Sequence, residues 1–378
     1  MSATARVLLN GRFLSQPNTG VQRYARETIL ALDALLSQST AANDIEFVLC
    51  VPRKSAPMPM QRIRTQLLPW LSGHAWEQVT LPLYAGSDLL VSPSYSGPIV
   101  KRQQIVTIHD ATVAAVPACF SAKYRFVHRL LIALLGNRVA SVMTVSDFSA
   151  AEIRQRYGIR NRIVVGREGW SHSLAQGDEA AVLAKYNLAG RDYLLLVGSI
   201  KPNKNLAVVG RALALMPDCP WTVAVAGARD SRIFQDAAET SGRMKYLGFV
   251  ADEDLGVLYK HAAWFVFPSM YEGFGLPALE AMANGCPVIA ARSTSLPEVC
   301  GDAAIYFDPE DAQGLATLLQ GLAGREDLRA SLQARSAARL EHYTWTANAR
   351  ILLDEIVDCL GRGVRQENAE PGTVRQPT

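Results

Sequence analysis

FVFPSMYEGFGLPALEAMANGCPVIA, residues 265–290, decides the fold. Trp264 to Phe267 reads as a buried strand ended by Pro268, and a loop runs through Tyr271-Glu272-Gly273-Phe274-Gly275. Pro277 opens a helix that Gly285 ends, and Val288 to Ala290 returns as a second strand. Strand, loop, helix and strand in so short a span form one βα unit of a parallel sheet. A glycine-rich loop at a helix N-terminus presents unpaired N–H groups and the positive end of the helix dipole, so a phosphate can dock on backbone alone. Glycines at 273 and 275 would let it approach closely. Glu272 precedes the loop and Glu280 lies one turn into the helix. An acid facing a phosphate would repel it, so Glu272 is expected on the hydroxyls of a neutral neighbour, a sugar being the natural candidate. Glu280 is placed to accept from ribose hydroxyls, as acids do in dinucleotide sites. Taken singly, each feature reads better as a turn former or a solvated helix position; the combination points to a phosphate-and-sugar site.

Outward from this segment the same alternation continues. Tyr193 to Val197, Thr222 to Ala226, Lys245 to Leu247 and Ala304 to Phe307 complete one block of strands. Val7 to Leu9, Phe47 to Val51, Leu89 to Val91, Ile105 to Ile108, Val142 to Val145 and Ile163 to Val165 form another. Helical spacing is read after Asn18-Thr19-Gly20, over Phe120 to Leu135, and over Asp311 to Leu322, Leu328 to Leu340 and Trp345 to Leu360. The expected fold class is therefore α/β, with two Rossmann-like, doubly wound parallel-sheet domains whose ligand edges face each other across a cleft. The expected divisions are an N-terminal domain (1–170), a connection (171–191), a C-terminal domain (192–344), a closing helix (345–360) and a disordered tail (361–378).

Composition agrees with two ordinary domains: 378 residues, 49% hydrophobic and 19% charged, which excludes a disordered or fibrous chain. No apolar run approaches the ~20 residues of a membrane span, and the first residues lack a secretory apolar region; a cytoplasmic protein is expected. The six cysteines form no Cys-x-x-Cys pair and no metal spacing, so they are expected to be reduced core residues. No Asp-x-Asp pair offers metal carboxylates, and neither metal nor cofactor is expected. Net charge is only +3, but residues 1–170 carry 19 Lys and Arg against 10 Asp and Glu, whereas the remainder carries 19 against 25. A basic first half fits anionic lipid or pyrophosphate partners; without aromatic-interleaved basic motifs, nucleic acid is not expected.

Leu247 to Pro309, with LGFVADEDLGVLY, the quoted segment and SLPEVCGDAAIYFDPED, resembles the nucleotide-binding half of the retaining GT-B glycosyltransferases of family 4. Weaker similarity extends to NTGVQRYARE near the N-terminus, TIHD at 107–110, TVSDFS at 144–149 and VGSIKPNKN at 197–205. The resemblance implies a role for each matching position. The amides of Gly273, Phe274, Gly275 and Leu276 would hold the donor diphosphate, Glu272 the transferred sugar and Glu280 the ribose. Lys204 would neutralise diphosphate charge, Gly20 would lie at the phosphates, His109 would face the reacting sugar, and backbone near Phe249 and Val250 would border the base. Many family members carry an arginine where this chain has Ser199 or Asn203. The resemblance also implies front-face transfer, with the departing phosphate accepting the acceptor's proton.

The expected activity is hexose transfer, best matched to mannose from GDP-mannose, onto a saccharide or polyprenyl-linked saccharide in surface polysaccharide synthesis. Two alternatives stand beside it. One is a non-catalytic GT-B subunit that binds a nucleotide sugar. The other is a nicotinamide-dependent dehydrogenase, since Gly273 to Ala278 approximates Gly-x-Gly-x-x-Ala; the late glycines, the preceding acid and Arg292 after the next strand count against it. His109 ends a strand at the ligand edge and is placed to donate to a sugar hydroxyl or the departing phosphate. Asp110 reads as structural, and Ser146 or Asp147 as a helix cap. Finally, FSAKYRFVHRLLIALLGNR at 120–138 mixes Lys123, Arg125, Arg129 and Arg138 with large apolar residues, among them Tyr124, Phe126, Val127, Leu130, Leu131, Leu134 and Leu135, and holds no acid. It reads either as a helix packed on its sheet or as a peripheral contact with the anionic inner face of the cytoplasmic membrane.

Overall fold

A computed structural model describes residues 5–38, 42, 44–190, 192–198, 201–218, 221–227 and 243–367. The first sheet contains β1 (Ala5–Asn10), β2 (Ile45–Val51), β3 (Arg64–Leu67), β4 (Leu89–Ser92), β5 (Gln104–Thr107), β6 (Ser141–Thr144) and β7 (Ile163–Val165). The second contains β8 (Tyr193–Val197), β9 (Thr222–Ala226), β10 (Met244–Gly248), β11 (Trp264–Phe267), β12 (Val288–Ala291) and β13 (Ala304–Phe307). Every pairing is parallel, in the orders β3-β2-β1-β4-β5-β6-β7 and β10-β9-β8-β11-β12-β13. Helices on both faces explain why β4, β11 and β12 are buried along their whole length.

Both orders reverse direction once, between β1 and β4 and between β8 and β11. At such a switch point the loops leaving adjacent strands run to opposite faces and open a crevice at the carboxyl ends. The two crevices face each other. β3, whose RTQL sequence is polar and largely exposed, sits at the outer edge, where alternation with a buried face is not required; the apolar pattern therefore misses it.

The division at 171–191 differs from expectation. This stretch contains the Glu179–Lys185 helix, and Val182, Tyr186 and Leu188 are part of the second domain's core; Arg191 lies outside the described residues. The closing helix runs from Trp345 to Glu367 rather than stopping at Leu360; residues 368–378 lie outside the described residues. This helix crosses back to the first domain, where Ala349, Leu352, Ile356 and Cys359 complete the core against the Gly20–Gln38 helix. Cys50, Cys286 and Cys300 are free and buried, Cys359 is buried with its thiol donating to Glu355 Oε1 at 3.7 Å, and Cys119 is half-buried; Cys219 lies outside the described residues. Among the described residues, no helix is long and apolar enough to cross a membrane.

Candidate active site

One cavity of about 560 Å³ fills the cleft, and His109, Gly20, Lys204, Val250, Glu272, Gly273, Phe274, Gly275, Leu276 and Glu280 all line it. The loop after β11 supplies its floor. Gly275 adopts φ +110°, a left-handed conformation that disfavours a side chain, and caps the Leu276–Ala283 helix. The amides of Gly273, Phe274, Gly275 and Leu276 donate no hydrogen bond within the described residues, so they are available to an anion.

Gly273 has a second reason to be glycine. A Cβ there would stand 2.6 Å from Asp110 Cβ of the first domain. Its carbonyl also accepts from Ser146 Oγ at 2.5 Å and Ser149 Oγ at 2.8 Å. Close approach of the two domains, and not only of a phosphate, therefore sets this residue. Ser146 is the N-cap of the Asp147–Tyr157 helix, and the Glu298 carboxylate of the second domain accepts from the amides of Asp147 and Phe148 at 2.9 and 3.0 Å. That carboxylate neutralises the positive end of a helix in the opposite domain.

The two glutamates occupy different settings. Glu272 Oε1 accepts from Lys204 Nζ at 2.5 Å at the partly exposed mouth of the loop. Glu280 is buried and accepts from His172 Nε2 at 2.9 Å and Tyr259 Oη at 3.1 Å, with Arg23 Nη1 at 3.6 Å. Trp345 Nε1 donates to His172 Nδ1 at 3.3 Å, which leaves the proton on Nε2. Burial would raise the Glu280 pKa, but the His172 contact, the Arg23 charge and the Tyr259 hydroxyl outweigh it and hold the carboxyl below its ordinary value.

His109 ends the β5 segment under Tyr24, whose ring meets it edge-on at 4.7 Å. Its Nε2 lies 3.2 Å from the Pro93 carbonyl, so the N–H is spent there, while Nδ1 faces Glu168 Oε1 at 4.0 Å. This corrects the expectation that His109 donates to the ligand. In this arrangement it offers a lone pair. Burial lowers its pKa to about 4, so the ring is neutral at pH 7. Glu168 is also buried; desolvation, reinforced by the charges of Glu280 and Glu272, raises its pKa to about 8, so the contact joins two neutral groups. Asp110 Oδ1 accepts from the Thr112 amide at 2.8 Å, consistent with a structural residue. Asn203 braces the loop through Nδ2 to the Tyr271 carbonyl at 3.3 Å and does not replace an arginine charge; Ser199 lies outside the described residues.

Sequence reasoning missed Arg23, Glu168, His172 and Tyr259. Arg23 lies within NTGVQRYARE and reaches the second domain, donating to Asp252 Oδ1 at 2.5 Å. Its partners are remote in sequence, so no spacing could announce them; the single available signal was a cation inside a segment already singled out.

Residues 180–339 match the family model described as glycosyl transferases group 1. The O-antigen chain mannosyltransferase B of Escherichia coli is 34% identical over 267 residues, covering 67% of this chain and 70% of that protein. The O-antigen chain mannosyltransferase RfbU of Salmonella typhimurium is 25% identical over 331 residues, covering 84% and 90%. Sucrose-phosphate synthase from Thermosynechococcus elongatus superposes with a TM-score of 0.67 at 19% identity, covering 97% of this chain and 99% of that one. The chain belongs to the group 1 glycosyltransferases, and its two facing parallel-sheet domains are the GT-B fold. It is an enzyme of that class, and the dehydrogenase reading of Gly273 to Ala278 falls.

Proposed function

We propose that the chain is a retaining hexosyltransferase that moves mannose from GDP-mannose to a saccharide or polyprenyl-linked saccharide in surface polysaccharide synthesis. The observation that carries this reading is the convergence of four unengaged amides, Lys204, Glu272 and Glu280 on one cavity. The names of the O-antigen relatives support the choice of donor and pathway. The amides of Gly273 to Leu276 and Lys204 bind the diphosphate and take up the charge that develops as the anomeric C–O bond breaks. Glu280 accepts from ribose hydroxyls, Glu272 from the hexose, and backbone at Val250 borders the base. Gly20, which carries no side chain, lets the first domain close on the phosphates. His109 accepts from a sugar hydroxyl through Nδ1.

The acceptor oxygen bonds to the anomeric carbon on the face the diphosphate leaves, and its proton passes to the departing phosphate. Glu168 holds its proton to about pH 8 and so is no free carboxylate nucleophile at neutral pH, which favours this route over a covalent intermediate. Amides, Lys204 and Arg23 supply the positive field without a metal.

The Ala122–Arg138 helix carries the membrane part of the proposal. Ile132 and Leu135 pack inward, while Phe126 is 72% and Leu130 50% exposed, beside the basic Lys123 and Arg129. An apolar face flanked by cations suits an anionic bilayer surface, which supports a peripheral position on the inner face of the cytoplasmic membrane.

The test is a thermal-shift panel of nucleoside diphosphates followed by transfer with the best donor and NMR of the product anomer. GDP should give the largest shift, the product should keep the donor's anomeric configuration, and activity should survive EDTA. An inverted product, or loss in EDTA with rescue by a divalent ion, overturns the mechanism.

A further inference from the structure

The stretch GREGW, residues 166–170, leads out of β7 and carries a buried acid, Glu168, whose carboxyl accepts no hydrogen bond among the described residues. Its neighbours fix its backbone. A Cβ on Gly166 would stand 2.8 Å from Met143 Cε, and one on Gly169 would collide with the Trp345 amide nitrogen. The Arg167 carbonyl accepts from Asn348 Nδ2 at 2.9 Å, and Trp170 Nε1 donates to the Leu340 carbonyl at 3.1 Å. The segment is therefore held on both sides of Glu168, which lines the cleft cavity while remaining only 7% exposed. Desolvating a carboxyl without a partner is costly, and uncompensated acids of this kind collect at functional sites.

Opposite it stands His109. Its Nε2 proton is spent on Pro93, so Nδ1 presents a lone pair 4.0 Å from Glu168 Oε1. That separation is too long for a direct hydrogen bond but suits one shared oxygen, since an atom about 2.8 Å from each meets them at an angle of about 90°. The Tyr24 ring, edge-on at 4.7 Å, and the Tyr95 ring, stacked at 6.1 Å, keep the imidazole from turning away. Tyr95 is itself pinned, its hydroxyl donating to the Asp110 carbonyl at 2.7 Å. Burial, reinforced by Glu280 and Glu272 of the second domain and opposed by Arg23, keeps the proton on Glu168 to about pH 8, and burial keeps His109 neutral. Tyr24 and Asp110 are the other ionisable groups that Glu168 meets. One side of the gap therefore donates and the other accepts. A hydroxyl group, which does both at once, completes the pair.

We propose that Glu168 and His109 clamp one hydroxyl of the transferred sugar, whose oxygen accepts from the Glu168 carboxyl while its proton is donated to His109 Nδ1. The inference rests on the glycosyltransferase reading and extends it to the choice of sugar. Glu272, on which the sugar is placed, faces the same cavity from the second domain, so the hydroxyl belongs to the sugar and not to the nucleotide. Glu168 is then a specificity residue, and a sugar without a hydroxyl at that position binds more weakly.

Donor binding measured without acceptor tests the clamp and separates it from the identity of the donor. The full chain is titrated calorimetrically with GDP-mannose, UDP-glucose and UDP-galactose and with GDP and UDP, and the gain in affinity due to the sugar is read for each. For the donor with the largest gain, Glu168→Leu should cut that gain about fivefold, the scale of one hydrogen bond, and leave affinity for the bare diphosphate unchanged. Among the monodeoxy forms of that sugar, one should bind wild type and Glu168→Leu alike, because it lacks the hydroxyl that the clamp holds. Glu168→Gln, whose amide donates at every pH, should keep the gain. In wild type the gain should shrink about fivefold from pH 7 to 9 as the carboxyl ionises, whereas in Glu168→Gln it should stay level. A gain unmoved in Glu168→Leu, a loss shared equally by every deoxy form or by the bare diphosphate, or one pH profile for wild type and Glu168→Gln overturns the clamp. A largest gain for a UDP-sugar, with the loss and the matched deoxy form in place, instead overturns the GDP-mannose assignment, and no gain from any sugar overturns both.

Discussion

At the β8/β11 edge the ligand wall is mostly backbone, whereas at the β1/β4 edge it is made of side chains from separate loops. The second domain presents the amides of Gly273 to Leu276 on a single turn, with Glu272 and Glu280 at fixed offsets. The first domain gathers Arg23, His109 and Glu168 from three places in the chain. Glycines before a helix start, with an acid at a fixed offset, make a local device, and a local device leaves a linear signature. Side chains gathered from separate loops leave none.

If the second-domain wall divides its labour as proposed, Glu272→Ala should remove transfer by about 10³-fold or more while the GDP thermal shift is nearly kept, since a charged hydrogen bond made at the reacting sugar is lost from the transition state. Glu280→Ala should instead lower GDP affinity by ~10- to 100-fold and also destabilise the fold by ~2 kcal/mol or more, because Arg23 loses a buried partner. Calorimetry with GDP and urea unfolding read the two effects. Equal loss of GDP affinity in both variants would erase the distinction.

Lys204 sharpens the same division. Its ammonium pairs with Glu272 in this structure, and on the proposed reading diphosphate binding would recruit it to the distal phosphate. Lys204→Ala should weaken GDP binding by about 10-fold and GMP binding much less. Matching losses for both ligands would place its role elsewhere.

Where the walls meet, Glu168 and His109 give a pH signature of opposite signs. The folded protein keeps the Glu168 proton to about pH 8, while an unfolded glutamate releases it near its ordinary 4.5. The folded state therefore binds more protons across that window, and stability falls as pH rises through it. His109 has a folded pKa of about 4 against an ordinary 6.5, so stability falls as pH drops from 6.5 toward 4. The two slopes oppose each other between about pH 4.5 and 6.5, so Glu168→Gln should abolish the fall toward pH 8 and expose the His109 limb in full. Urea midpoints measured from pH 4 to 9 test both limbs; an unchanged alkaline limb in the variant would refute the assignment.

A separate effect belongs to the surface of the first domain. Binding to anionic vesicles should be salt-sensitive and absent with neutral ones, and replacing Lys123, Arg125 and Arg129 together with Gln should weaken it by ~1 kcal/mol per charge. Indifference to lipid charge would leave the exposed face of that helix without a lipid role.

How far the chain could be read in advance follows the same contrast. Strands buried on both faces, such as FVLCV within β2 and WFVF at β11, announce themselves by continuous apolar runs. RTQL at β3 does not, because an edge strand exposed to water carries no such constraint. Glu272, Glu280 and the loop glycines were legible because one turn of chain holds them all. Arg23 and His172 were not, since each becomes a partner of Glu280 only once distant parts of the chain are folded together. Gly273 was singled out, but half of its reason, the approach of Asp110, lies in the other domain.

The helix that returns to the first domain has a consequence for modular exchange. Its residues Ala349, Leu352 and Ile356 fill a core otherwise built from β1, β2 and the Gly20–Gln38 helix. Glycosyl donors and acceptors could be recombined by grafting one domain onto another enzyme, but a splice at the midpoint of the chain would exchange the wrong material. The transplantable first-domain module is discontinuous: it comprises the N-terminal half together with the C-terminal helix, and a chimera that swaps only the intervening segment keeps each core with the side chains that fill it.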